Sequence, residues 1–323
     1  MKAISLQKYG STQNLMLVDR DVPSPVDRQV LVKIHAASIN DWEWAITQGS
    51  PFYIRLLCGL RKPKFAVLGV DISGTIEAVG PNCERFKEGD RVFGDLSDCG
   101  FGSFAEFASV SETHLSHLPE NTSFEAGAAL PHASLLALQA FKLFEGLQPQ
   151  HKVLINGAGG GVGTIGIQVA RSMGIQHVSG VDNASKLEGL KKLGFDEVID
   201  YQTTDFTKTG ETYDLIIDAK TNRLPHAYLR ALNPNGHYVS IGGKARFLIL
   251  TLIAGTVAKL GSQKKLQILG LKPNKGLEEV AALVESGKLA PVLDETYSLA
   301  DTAKAISRFG SGKHLGKIIV TPS

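Results

Sequence analysis

The sequence predicts an α/β protein in which a doubly wound parallel sheet is inserted into a mainly β domain. Three observations carry this. Short β-branched runs broken by Gly, Pro, Asn and Asp fill the chain to about Leu118, at the spacing of an all-β region. From about Phe124 apolar strands alternate with helical patterns, which reads as βαβ units. Near Gln267 the alternation stops, and the remaining tail is too short to form a domain of its own. The tail is therefore expected to complete the N-terminal region, so that residues 1–126 and 269–323 form one domain and residues 127–268 the other.

Within the β region the clearest strands are Gln29 to Ala36, Gly74 to Val79 and Asp90 to Phe93. The parallel sheet is expected from Val153 to Asn156, Gln176 to Val181, Glu197 to Ile199, Leu215 to Asp218 and Gly236 to Ile241. In the tail, helices are expected around Leu277 to Ser286 and Leu299 to Phe309, followed by a closing strand over Gly316 to Thr321. The apolar stretch from Phe247 to Val257 is shorter than the roughly 20 residues a membrane helix needs. It reads as a buried helix or a pocket wall, with peripheral membrane attachment as the alternative.

Composition narrows the function. With 34 Lys+Arg against 32 Asp+Glu, the 323-residue chain has a net charge of +2, too small a field to attract nucleic acid or an acidic membrane. A small-molecule partner is expected, with no integral membrane segment. Cys58, Cys83 and Cys99 match no zinc or disulfide spacing, so free thiols in a reducing compartment are expected. The N-terminus shows no leader pattern, and the location expected on these grounds is cytoplasmic.

The strongest local signal is the strand Val153-Leu154-Ile155-Asn156, followed by Gly157-Ala158-Gly159-Gly160-Gly161-Val162-Gly163 and a helical run to Met173. Glycine lets the backbone turn sharply and approach a pyrophosphate, while the helix N-terminus supplies N–H groups and a positive dipole end. Gly157, Gly160, Gly161, Val162 and Gly163 are thus the candidate cofactor loop of a Rossmann domain. Asp182 closes the next strand, where a carboxylate can accept from a ribose 2′-hydroxyl.

At this point the chain resembles the medium-chain dehydrogenase/reductase superfamily, specifically its zinc-independent quinone oxidoreductase and zeta-crystallin branch. The similarity runs through Ala37-Ser38-Ile39-Asn40, Leu68-Gly69-Val70-Asp71, Gly74 to Val79-Gly80, Phe86 to Gly94, Ala128 to Gln139, the glycine loop, Val198-Ile199-Asp200-Tyr201 and Gly316-Lys317-Ile318-Ile319-Val320. Leu271-Lys272-Pro273-Asn274 and Gly287 to Val292 are most similar to the chloroplast envelope quinone oxidoreductase homologues. The resemblance implies a GroES-like catalytic domain around the Rossmann domain and a homodimer paired through the strand near Ser240. It implies NAD(P)H as cofactor, with Lys186, Tyr201, Gly242 and Lys317 added to the cofactor-binding residues. Asp182 favours NADH, and the Lys186 and Tyr201 pair favours NADPH; between the two the preference stays open.

The resemblance also bears on metal. Zinc-using members bind catalytic zinc through a Cys, a His followed by an acid, and a later Cys or His. Those positions correspond here to Asn40, Val70 followed by Asp71, and His132, which leaves one ligand where about three are needed. No metal is therefore expected. Without a Lewis acid, suitable hydride acceptors are those that delocalise the arriving charge: quinones and α,β-unsaturated carbonyls. A zinc-free alcohol or aldehyde dehydrogenase and a non-catalytic dinucleotide-binding protein are the alternatives.

Asn40 is the candidate donor to the developing oxyanion, or else a turn residue before Asp41. His132 is the candidate proton donor, or else a buried imidazole bonded to backbone. Glu43 reads as an orienting residue. Trp42, Trp44, Phe52 and Tyr53 form either an acceptor wall or core.

Overall fold

The β-branched run Gln29–Ser38 becomes the strand around which the first sheet is assembled. A computed structural model describes residues 1–258 and 263–322, and the chain divides into two compact units. One comprises Met1–Leu135 with Lys272–Ser323, the other Leu136–Leu271. The first division falls inside the helix Pro131–Lys142, later than the change of texture at Phe124 suggests. A sequence boundary marks where periodicity changes, whereas contacts divide where packing partners change.

In the first unit the strand order is Leu293–Ser298, Lys317–Thr321, Gln29–Ser38, Asp71–Val79, Arg91–Asp95 and Leu115–His117, with Phe107–Ser111 also paired to Gln29–Ser38. Val30, Val32, Ile34, Ile72, Ile76 and Val92 bury one face, each contributing roughly 1.5–3 kcal/mol relative to exposure. The tail completes this unit: Lys317–Thr321 lies antiparallel to Gln29–Ser38. The strand Leu293–Ser298 is not legible in the sequence because it is a largely exposed edge strand, paired parallel to Lys317–Thr321.

The region to Leu118 is not all β, as its short runs suggest. Helices Asp41–Gln48 and Phe52–Cys58 interrupt it. Asn40, in an extended conformation, starts the first of them, and the Glu43 carboxylate accepts from the Asn40 backbone N–H. This is a local helix-start signal that the surrounding β texture masks.

In the second unit six strands are parallel, in the order Glu197–Asp200, His177–Asp182, Lys152–Asn156, Tyr213–Asp218, Leu232–Ser240 and Lys265–Ile268. In sequence terms the order is 3-2-1-4-5-6, the doubly wound Rossmann arrangement. Its central strands Val153–Ile155 and Leu215–Ile217 are buried, as expected for a sheet covered on both faces.

The apolar run near Phe247 forms the helix Ala245–Ala258, but it is not a buried one. Phe247 and Thr251 turn inward, while Ile249, Leu250, Leu252 and Ile253 are exposed. No described helix is long and apolar enough to cross a membrane.

Candidate functional site

Three strand ends in the first unit build a row of polar residues. The sheet register sets Ser38 beside Asp71 and Asp71 beside Asp95. Neighbouring carboxylates on adjacent strands repel, and both are fully buried, so each needs cations or N–H donors. Asp71 Oδ2 accepts from Ser38 Oγ at 2.6 Å, Asn40 Nδ2 at 2.9 Å and Lys317 Nζ at 2.9 Å. Its Oδ1 accepts from the His132 backbone N–H at 2.9 Å.

Asp95 is satisfied separately, by the His132 imidazole, whose Nδ1 lies 2.8 Å from Asp95 Oδ2. Burial disfavours charge on both groups, yet their mutual attraction overrides it: the His132 pKa is raised and that of Asp95 lowered. His132 is therefore a buried imidazole held by a carboxylate, not by backbone.

Lys317, counted among the cofactor-binding residues on resemblance, belongs to this row in the first unit. Its Nζ donates to Asn40 Oδ1 as well as to Asp71. The Asn40 side chain is thus held at both ends, with Nδ2 on Asp71 and Oδ1 on Lys317. It is a network member, not merely a turn residue.

Glu43, fully buried, accepts from the Asn40 N–H at 2.7 Å and the Val70 N–H at 2.7 Å. It pins together the two segments whose equivalents carry metal ligands in zinc-using relatives. Burial pushes its carboxyl up to about 7, against the pull of those N–H donors and of Lys317.

Zinc does not fit this arrangement. The three positions offer an amide, an aliphatic side chain and an imidazole whose Nδ1 is taken by Asp95. The protein's own ammonium, Lys317 Nζ, is bonded among them.

The proposed aromatic wall separates. Trp44 packs in the core so closely that a Cβ on Gly310 would lie 2.2 Å from its ring. Trp42 is partly buried and meets Phe101 edge-on at 6.1 Å, whereas Phe52 and Tyr53 are exposed.

In the second unit the glycine loop leaves the strand Lys152–Asn156, at the point where strand order reverses between that strand and Tyr213–Asp218. Gly160 caps the helix Gly161–Ser172, and Gly161 and Val162 form its half-buried first turn. At Gly163 a Cβ would stand 2.4 Å from Ala158, so only glycine lets the helix approach the loop this closely. The Gly157 and Ala158 N–H groups donate to Val181 O.

Asp182 ends its strand as expected, but its carboxylate is already engaged. It accepts from Gly159 N and Asn183 N, each at 2.8 Å, and lies 3.5 Å from Lys186 Nζ. Asp182 and Lys186 are both buried, and Tyr201, half exposed, donates its backbone N–H to Asp182 O. Gly242 follows the strand Leu232–Ser240, where an added Cβ would meet only Ala219 O, at 3.6 Å. The loop, the open helix start and the Asp182 end fit a dinucleotide.

Sequence reasoning missed the network around Asp218, whose oxygens accept from Asn156 Nδ2 at 2.7 Å and Tyr238 OH at 2.8 Å. It also missed Asp95. A carboxylate closing an apolar strand was the available signal for both.

Comparison with known proteins agrees with this geometry. The family description "Alcohol dehydrogenase GroES-like domain" matches residues 26–120, and "Zinc-binding dehydrogenase" matches residues 193–320. A chloroplastic quinone-oxidoreductase homolog of Spinacia oleracea is 33% identical, covering 100% of this chain and 98% of its own. The chloroplast envelope quinone oxidoreductase homolog of Arabidopsis thaliana is 32% identical, with the same coverage, 100% and 98%. The structure of the quinone oxidoreductase from Coxiella burnetii superposes with a TM-score of 0.88 at 28% identity, covering 100% of this chain and 99% of that one. The cytoplasmic expectation is overturned by the plant relatives, which are proteins of the chloroplast and its envelope. Net charge and the N-terminal pattern did not carry that information.

Glu43 yields a pH prediction. Its folded-state pKa, about 7, lies above the ordinary 4.5, so between these values the folded state holds the proton more tightly. The stabilising contribution is complete below pH 4.5 and is lost as pH rises to 7. In urea titrations the stability difference between wild type and Glu43→Gln should shrink by roughly 2–3 kcal/mol from pH 5 to pH 8. Parallel profiles would show that Glu43 does not titrate in the folded protein.

Proposed function

The chain belongs to the quinone oxidoreductases of the medium-chain dehydrogenase/reductase superfamily, NAD(P)H-dependent oxidoreductases, and on that premise we propose that it reduces quinones and α,β-unsaturated carbonyls. The observation that carries the acceptor class is the Lys317, Asn40 and Asp71 cluster at the family's metal-ligand positions. Fixed hydrogen-bond donors stabilise a delocalised oxyanion more readily than a localised alkoxide, for which a metal is the usual Lewis acid.

NAD(P)H, when bound, supplies the hydride. Backbone N–H groups of Gly157 to Gly163 and the start of the helix Gly161–Ser172 hold the pyrophosphate. Gly242 leaves room for the cofactor beside the neighbouring strand end. Asp182, Lys186 and Tyr201 take the adenosine ribose. Because Lys186 lies 3.5 Å from Asp182, it offsets a charge that would otherwise repel a 2′-phosphate, so both NADPH and NADH are accepted.

On the acceptor side Asn40 is the donor. An amide nitrogen carries two N–H bonds; one is on Asp71, and the other serves the acceptor oxygen. Lys317, by donating to Asn40 Oδ1, polarises the amide and strengthens its remaining N–H. His132, kept protonated by Asp95, returns a proton to the hydroquinone anion or enolate. Trp42 and Phe101 supply an apolar wall.

The test is steady-state turnover with quinones, enones and alcohols, each with NADPH and NADH or their oxidised forms. Quinones and enones should turn over with both reduced cofactors, and Asn40→Ala should lower kcat by about 10²–10³ with little change in cofactor affinity. Turnover confined to alcohols would favour the dehydrogenase alternative. Cofactor binding without any turnover would favour a non-catalytic role.

We also propose a homodimer. The strand Lys265–Ile268 is the outer strand of the parallel sheet, beside Leu232–Ser240, and offers unpaired backbone groups to a second copy. Sedimentation at micromolar concentration should give twice the chain mass; a monomer contradicts this.

A further inference from the structure

We infer that the protein carries a zinc site outside the cofactor and acceptor machinery, formed by Asp98, Cys99 and His114. One ligand atom from each lies within 4.8 Å of the other two, with His114 Nε2 only 3.3 Å from Asp98 Oδ1. The expectation of no metal rests on Asn40 and Val70, and these three residues belong to different segments.

The topology explains why ligands so far apart in sequence meet. The antiparallel ladder of Arg91–Asp95 with Leu115–His117 ends at the pair Gly94 and Leu115. The residues following Gly94 and the one preceding Leu115 therefore leave the sheet at the same end. Gly94 brings them close: a Cβ there would stand 2.0 Å from His114 O. The outgoing chain folds back on itself, with the Cys99 and Phe101 N–H groups both donating to Leu96 O at 3.2 Å. On the other side, Ser111 begins the short helix Glu112–His114. Thr113 Oγ1 lies 3.3 Å from His114 Nδ1, which leaves Nε2 as the ligand nitrogen. Metal-bound histidines commonly have such a partner on their other nitrogen.

The donor set selects the metal. One thiolate, one imidazole and one carboxylate are the ligand types zinc uses, and three protein ligands leave a fourth position for water. Magnesium and calcium prefer all-oxygen shells. Asp98 and Cys99 are exposed and His114 partly so, so an ion can enter from solvent. Binding forms the zinc–sulfur bond as the Cys99 Sγ–H proton passes to solvent.

The consequence is structural. An ion would close the turn Leu96–Ser103 onto the helix Glu112–His114. That turn begins next to Asp95, the partner of His132, and carries Phe101, which packs on Trp42 and Phe65.

The test uses untagged full-length protein, stripped with chelator and titrated with zinc and, separately, cobalt(II). Wild type should bind one zinc per chain, show a thiolate-to-cobalt charge-transfer band and melt at a higher temperature with zinc present. Cys99→Ser and His114→Ala, both at surface-accessible positions, should weaken binding roughly 10–100-fold or more. Each should also lose the zinc-dependent rise in melting temperature, and Cys99→Ser the charge-transfer band. Wild type that binds no zinc, or binding that survives both substitutions, overturns the site.

Discussion

The Asp71 carboxylate is the contact on which the first unit depends. Four donors converge on it from four segments: Ser38 at the end of the central strand, Asn40 at the start of a helix, His132 at the start of another and Lys317 in the C-terminal strand. A buried carboxylate with four donors is well satisfied, and removing any one exposes the cost of burying the rest. The contact with Lys317 spans 246 residues of sequence. It attaches the tail to the N-terminal region through chemistry as well as strand pairing.

The same contact shapes the chemistry. A metal would supply a mobile, exchangeable charge at this place. The protein instead has a covalently tethered ammonium whose charge is balanced by Asp71 and whose direction is set by Asn40. Such a group is preorganised but weaker as an electrophile than a divalent ion, which matches acceptors that spread the negative charge themselves. Glu43, just beneath, holds the two flanking backbone segments with a carboxyl near half-ionisation at neutral pH.

Much of this is legible in the sequence where the signal is local. The run from Val153 to Met173 encodes strand, turn and helix within about twenty residues, and the parallel strands follow from apolar runs separated by helical spacing. The closing strand at Lys317–Thr321 is equally clear. What escapes depends on distant pairings. The place of Lys317 is fixed by Asn40, 277 residues away, and no periodicity reports that. The edge strand Leu293–Ser298 lacks a buried face. In the sequence Asp182 looks free to meet a ribose, because its bonds to Gly159 N and Asn183 N are made by backbone geometry that sequence does not display.

The coupling between Asp71 and Lys317 is measured most directly by a double-mutant cycle in reversible unfolding. Asp71→Asn and Lys317→Met each leave one buried charge without its partner and should cost about 3–5 kcal/mol. The double variant leaves neither and should cost less than the sum of the two by at least about 1 kcal/mol. Additive losses, within about 0.5 kcal/mol, would mean that the two charges do not depend on one another and that Asp71 does not organise the unit.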